Sequence, residues 1–90
     1  MATLIITEAN GTQRTYELQR GATATMGRAE RNTLSFPRDL RISNAHCSIY
    51  WSEDKSAFVL SDLKSTNGTI LNLDRISADI VLTDNDKIRI

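Results

Sequence analysis

Apolar and polar residues alternate in short runs along this chain, and no window carries an apolar stripe at helical spacing. Period-two alternation marks strands with one buried face, so the pattern predicts an all-β fold. Thr3 to Thr7 and Thr12 to Leu18 are rich in β-branched and aromatic residues, and Asn10-Gly11 between them is the strongest short hairpin signal. A third strand is predicted from Thr23 to Gly27 and a short one from Thr33 to Phe36, ended by Pro37, which has no N–H for a ladder bond. Pro37 to Ala45 reads as a loop.

From His46 to Trp51 the alternation places Cys47, Ile49 and Trp51 on one face, and the polar run Ser52 to Ser56 turns the chain into Ala57 to Ser61. Asp62 to Gly68 is a polar loop, Thr69 to Leu71 a strand, Asn72 to Arg75 a turn, and Ile80 to Leu82 a strand. Thr83 to Asp86 then turns into a last strand, Lys87 to Ile90. About nine short strands with turns every ten residues or so predict a two-sheet antiparallel β-sandwich with Greek-key connections.

The 90 residues form one domain, 1–90, with a single modest core. Apolar residues make up 40% and charged ones 24%, the profile of a folded globular protein and not of a disordered one. Eleven basic and eleven acidic residues cancel, so there is no global positive field to draw nucleic acid or an anionic membrane. The charges are unevenly spread, however. Arg28, Arg31, Arg38 and Arg41 fall in one stretch against Glu30 and Asp39; if that stretch forms one rim of the fold, the rim can attract an anion although the whole is neutral. One cysteine, Cys47, cannot form an internal disulfide, and no hydrophobic leader precedes the first strand, so an intracellular location is expected. Asn10-Gly11-Thr12 and Asn67-Gly68-Thr69 match a glycosylation pattern but read as turns in such a protein.

Two loops carry polar residues that a bare sandwich does not need: Arg41 to His46 and Lys64 to Thr69. With Gly27-Arg28 at a strand end they supply a guanidinium, hydroxyls on Ser43 and Thr66, and side-chain amides on Asn44 and Asn67. Nearly all are hydrogen-bond donors. A phosphorylated hydroxyl bears close to two negative charges and three acceptor oxygens, and such donors suit it, although they would also suit sulfate or a carboxylate. Ser43, His46 and Asp62 include the residue types of a hydrolase triad, but Ser43 lacks the Gly-x-Ser-x-Gly elbow and the chain is too short for a substrate pocket beside it. His46 has no second histidine with which to hold a metal, and Cys47 reads as a buried thiol, so no metal, cofactor or catalytic residue is expected.

The succession Met26-Gly27-Arg28, Asn32-Thr33-Leu34, Ile42 to Ile49 and Leu60 to Asn72 resembles the forkhead-associated (FHA) domain family, with the motifs in order across a core region, 27–72. The resemblance implies a sandwich of the FHA/SMAD type, of eleven strands, with ligand loops at one end. It implies a phosphothreonine-dependent peptide-binding module, not an enzyme, that mediates protein–protein interactions in kinase signalling. Arg28, Ser43, Asn44 and Thr66 would hold the phosphate. Asn67 would bond the peptide backbone, and Arg41 would reach the third residue after the phosphothreonine and favour an acid there. Gly27, His46 and Gly68 would be structural. Asn44 stands where many members have Arg, which removes one positive charge. A scaffold of the same fold that needs no phosphate, or that oligomerises, is the alternative. The family's final strand is missing after Ile90 and Asn85 replaces its usual Gly; a piece of a longer protein is therefore expected, or a dimer through an open sheet edge beside Thr3 to Thr7.

Overall fold

The computed structural model describes residues 2–8 and 11–90 and contains strands, turns and loops, with no helix among those residues. The described residues form ten strands: β1 (Ala2–Thr7), β2 (Gln13–Leu18), β3 (Ala24–Gly27), β4 (Leu34–Ser35), β5 (Cys47–Ser52), β6 (Ala57–Asp62), β7 (Ile70–Leu71), β8 (Asp74–Arg75), β9 (Ile80–Val81) and β10 (Lys87–Arg89). One sheet has the order β2-β1-β10-β7-β8 and the other β4-β3-β5-β6-β9. The sandwich predicted from alternation is therefore present, with one more strand than expected. Asp74 and Arg75, predicted to lie in a turn, pair with Leu71 and Ile70 as β8.

Both sheets are mixed and not purely antiparallel. β1 runs parallel to β10 and β3 parallel to β4. Alternation reports which side chains are buried and is blind to strand direction, so this could not be read from periodicity. The first hairpin pairs in full, from Ala2 with Leu18 to Thr7 with Gln13. Its connection spans residues 8–12, where Gly11 takes a φ of +90°; Asn10 lies outside the described residues. The edge expected to lie open beside Thr3 to Thr7 is closed, since β1 has β2 on one side and β10 on the other. The six-residue β2 is the longest edge strand, and the other three edges are two residues each.

Between the sheets lies one core. Leu4 and Ile6 of β1 and Ile88 of β10 face Met26, Cys47, Ile49 and Leu60 of the second sheet, all essentially without solvent contact. Full burial of an aliphatic side chain of this size contributes about 1.5–3 kcal/mol each, so this contact holds the two sheets together. At one end Trp51 and Phe58 meet edge to face, with ring centroids 5.0 Å apart, and Arg20 covers Trp51. At the turn before β10, Asn85 takes a φ of +66°. Asparagine is among the few non-glycine residues that enter this region readily, which explains how it stands in for Gly there.

Strand direction decides what meets at the other end. β3 finishes at Gly27, β5 begins at Cys47, β6 finishes at Asp62 and β7 begins at Ile70. The loops after β3, before β5 and between β6 and β7 therefore converge at one pole.

Candidate functional site

At that pole the backbone of the loop before β5 is stitched to the end of β3. The N–H of Arg28 donates to the Ser43 carbonyl at 2.9 Å and that of Ala29 to the Asn44 carbonyl at 3.3 Å. A Cβ on Gly27 would overlap the Asn44 carbonyl oxygen, so only glycine allows this approach. The β6–β7 loop closes from the other side. The N–H of Thr66 donates to Ser43 Oγ at 3.0 Å, and Asn67 Nδ2 donates to the Arg41 carbonyl at 2.8 Å.

These bonds leave a set of unspent donors. Arg28 Nε donates to Asn44 Oδ1 at 3.3 Å, which orients the guanidinium; among the described residues its two Nη groups have no partner and it forms no ion pair. Ser43 Oγ is an acceptor toward Thr66, so its own proton is left to donate outward. The Asn44 Nδ2 group and the Thr66 hydroxyl are likewise without a protein partner among the described residues. Arg28 and Ser43 are half-buried, and Asn44 and Thr66 exposed. Arg28, Ser43, Asn44 and Thr66 are thus brought together by direct bonds, and the donors they leave open are complementary to a tetrahedral anion.

His46 braces the pole from beneath. It is fully buried; its Nδ1 accepts the Ser43 N–H at 3.2 Å and its Nε2 lies 2.8 Å from the Gly68 carbonyl. Since a backbone N–H can only donate, Nδ1 carries the lone pair and Nε2 the proton, and the ring is neutral. The N–H and C=O of His46 bond Met26 and Leu63, at 2.9 Å each. Gly68 has a φ of +87°, a left-handed backbone conformation that favours glycine; a Cβ there would meet only the guanidinium of the exposed Arg75, which can move aside. Ser43, His46 and Asp62 do not form a triad: His46 faces the backbone N–H of Ser43, and Asp62 bonds Ser65 and Thr69.

Those bonds of Asp62 fold the β6–β7 loop onto the end of its own strand. Ser65 Oγ donates at 2.5 Å, Thr69 Oγ1 at 2.7 Å and the Ser65 N–H at 3.1 Å. Burial works against the carboxylate, but these donors outweigh it and hold its pKa below the ordinary value. Burial also pushes the Cys47 thiol up to about 12, with the Asp62 charge adding to the rise and a Thr69 hydrogen bond opposing it. Cys47 is a core side chain and no nucleophile.

Arg41 is exposed at the edge of the pole and only loosely paired with Asp39, at 3.6 Å. It borders a depression of about 390 Å³ together with Asn67, Ile70 and Arg89. Arg89 was missed in the sequence, since it lies on β10 far from the motif region and only the sheet order brings it here. Asn32 and Ser65 were missed too. Each is a residue type that commonly serves turns, and nothing in local sequence separates that use from a tie between loops.

Solved structures of the same fold match most of the chain. A structure from a study of phosphothreonine-dependent FHA domain interactions is 32% identical over 97% of this chain and 82% of its own, with a TM-score of 0.72. The FhaA FHA domain complexed with the intracellular domain of Rv3910 is likewise 32% identical, over 97% of this chain and 87% of its own, with a TM-score of 0.72. EmbR of Mycobacterium tuberculosis, in complex with a low-affinity phosphopeptide, is 30% identical over 93% of this chain but only 24% of its own, with a TM-score of 0.73. Among curated proteins none matches significantly. The FHA domain family model matches residues 24–90, which include every loop of the pole and the strands from β3 to β10, and the chain belongs to the FHA domain family.

Proposed function

We propose that this chain is a phosphothreonine-dependent peptide-binding module, which docks proteins that a kinase has marked. The observation that carries the reading is that Arg28, whose guanidinium is oriented by Asn44 and forms no ion pair among the described residues, is bonded through its backbone to Ser43, whose hydroxyl in turn accepts from Thr66 and keeps its own proton to donate. In this reading Arg28, Ser43, Asn44 and Thr66 hold the phosphate. Asn67 holds the peptide backbone, through an Oδ1 that no described residue occupies. Arg41, with Arg89 across the same depression, favours an acidic residue in the third position after the phosphothreonine. The neighbours studied for phosphothreonine dependence or solved with a phosphopeptide support this assignment by family. The chemistry is equilibrium recognition, with no bond made or broken. A free, buried thiol and a phosphorylated ligand both suit an intracellular setting.

Calorimetric titration with one peptide in threonine, phosphothreonine and phosphoserine forms tests the reading. Binding is expected only with phosphate, and most tightly to phosphothreonine. Arg28→Ala is expected to cost roughly 2–5 kcal/mol of binding, the scale for stranding one partner of a desolvated charge pair. Equal affinity for the unmodified peptide would favour the phosphate-independent scaffold instead.

A further inference from the structure

The tie between the β3 end and the loop before β5 runs through a side chain with no role so far. Asn32 Nδ2 donates to the Ala29 carbonyl and to the Asn44 carbonyl, at 2.7 Å each, which uses both of its hydrogens. The Asn32 backbone N–H also donates to Ala29, at 3.1 Å, so the turn carrying Arg28 is closed on itself before it is joined to the second loop. The same Asn44 whose carbonyl is held by Asn32 presents its Oδ1 to Arg28 Nε. Gly27 completes the unit, because the space where its side chain would stand is occupied by the Asn44 carbonyl and the Asn32 amide.

We infer that Asn32 is a positioning residue for the anion site: it fixes Asn44, and through Asn44 it aims the Arg28 guanidinium at the place where Ser43 and Thr66 present their hydroxyls. The inference rests on the phosphate-binding reading of that site. Without Asn32 the Asn44 peptide loses a charge-neutral clamp while keeping the longer bond from Ala29, and Arg28 loses its fixed direction although no hydrogen bond joins it to Asn32. A guanidinium free to sample rotamers spends ordering entropy on binding that a pre-aimed one does not. Gly27→Ala reaches the same lesion from the other side, by displacing the Asn44 carbonyl first and the Asn32 amide with it.

A double-mutant cycle of Asn32→Ala and Arg28→Ala, read as phosphopeptide affinity with urea denaturation in parallel, tests this. In the unaltered background Arg28→Ala should weaken binding roughly 30-fold or more. Asn32→Ala should weaken it by roughly tenfold, and in its presence Arg28→Ala should cost only a few-fold more, a coupling between side chains that share no hydrogen bond. Gly27→Ala and Asn32→Ala should be similarly non-additive. Additive losses, or unchanged affinity in Asn32→Ala, would overturn the inference while leaving the phosphate reading intact. Absent phosphate dependence in the unaltered protein would instead remove the reading itself. Asn32→Asp, of equal size but facing two carbonyls with an acceptor, is the second variant. Should neither variant fold, Asn32 serves the whole fold and the positioning role is refuted.

Discussion

The backbone N–H of Thr66 donates to the Oγ of Ser43 across 23 residues of sequence, at 3.0 Å, and with the bond from Asn67 Nδ2 to the Arg41 carbonyl it joins two of the three loops that make the pole. It also sets the polarity of the Ser43 hydroxyl, since an oxygen that accepts from the protein has its proton free for the ligand. Ser43→Ala therefore removes a ligand donor and strands an amide together. It is expected to weaken phosphopeptide binding by about 1.5–3 kcal/mol, the range for a hydrogen bond to a charged group. Titration of the variant checks this, and a loss no larger than that of a distant surface substitution such as Glu53→Ala would remove Ser43 from the site.

His46→Ala should act on stability first. The substitution leaves the Ser43 N–H and the Gly68 carbonyl without their buried partner and opens a cavity under both loops. A loss on the order of 2–4 kcal/mol is expected, with a lower urea midpoint and little change in the denaturant slope. A variant as stable as the original would mean that the loops are held by other bonds.

Cys47 should be inert in the native protein. With its thiol pushed up to about 12 and no solvent contact, almost no thiolate exists at neutral pH. A chromogenic disulfide reagent at pH 8 should label it only at the rate of unfolding, and at once in denaturant. Rapid labelling in native buffer would contradict the burial of β5.

Asp62 predicts how the loop responds to acid. Its folded pKa is lowered, so its contribution to stability is present in full above the pKa of the unfolded chain and is lost as pH falls through the folded value. Asp62→Asn should thus be the less stable protein at neutral pH, with the difference shrinking as the pH drops below about 4, where the carboxylate of the unfolded chain binds its proton before the folded one does. Denaturation midpoints across that range decide it, and a difference independent of pH would show that shape, not charge, holds Ser65 and Thr69.

Much of the molecule is local and was therefore legible in the sequence. Period-two alternation located the strands, because burial of every second side chain needs no knowledge of the partner strand. Polar loops that exceed the needs of a sandwich marked Arg28, Ser43, Asn44, Thr66 and Asn67, because short donors and amides in loops carry chemistry wherever they sit. Glycine at 68 follows from a positive φ, which is a property of one residue.

Pairing and convergence belong to the fold alone. Whether β1 neighbours β10 or solvent, and whether strands run parallel, depends on loop closures spanning the whole chain, which no window of residues contains. Arg89 reaches the Arg41 depression by sheet order, Asn32 reaches Asn44 by the crossing of two loops, and the orientation of the Ser43 proton follows from an amide 23 residues away. Residue types are encoded locally, whereas the direction in which each donor points is set by its long-range partner.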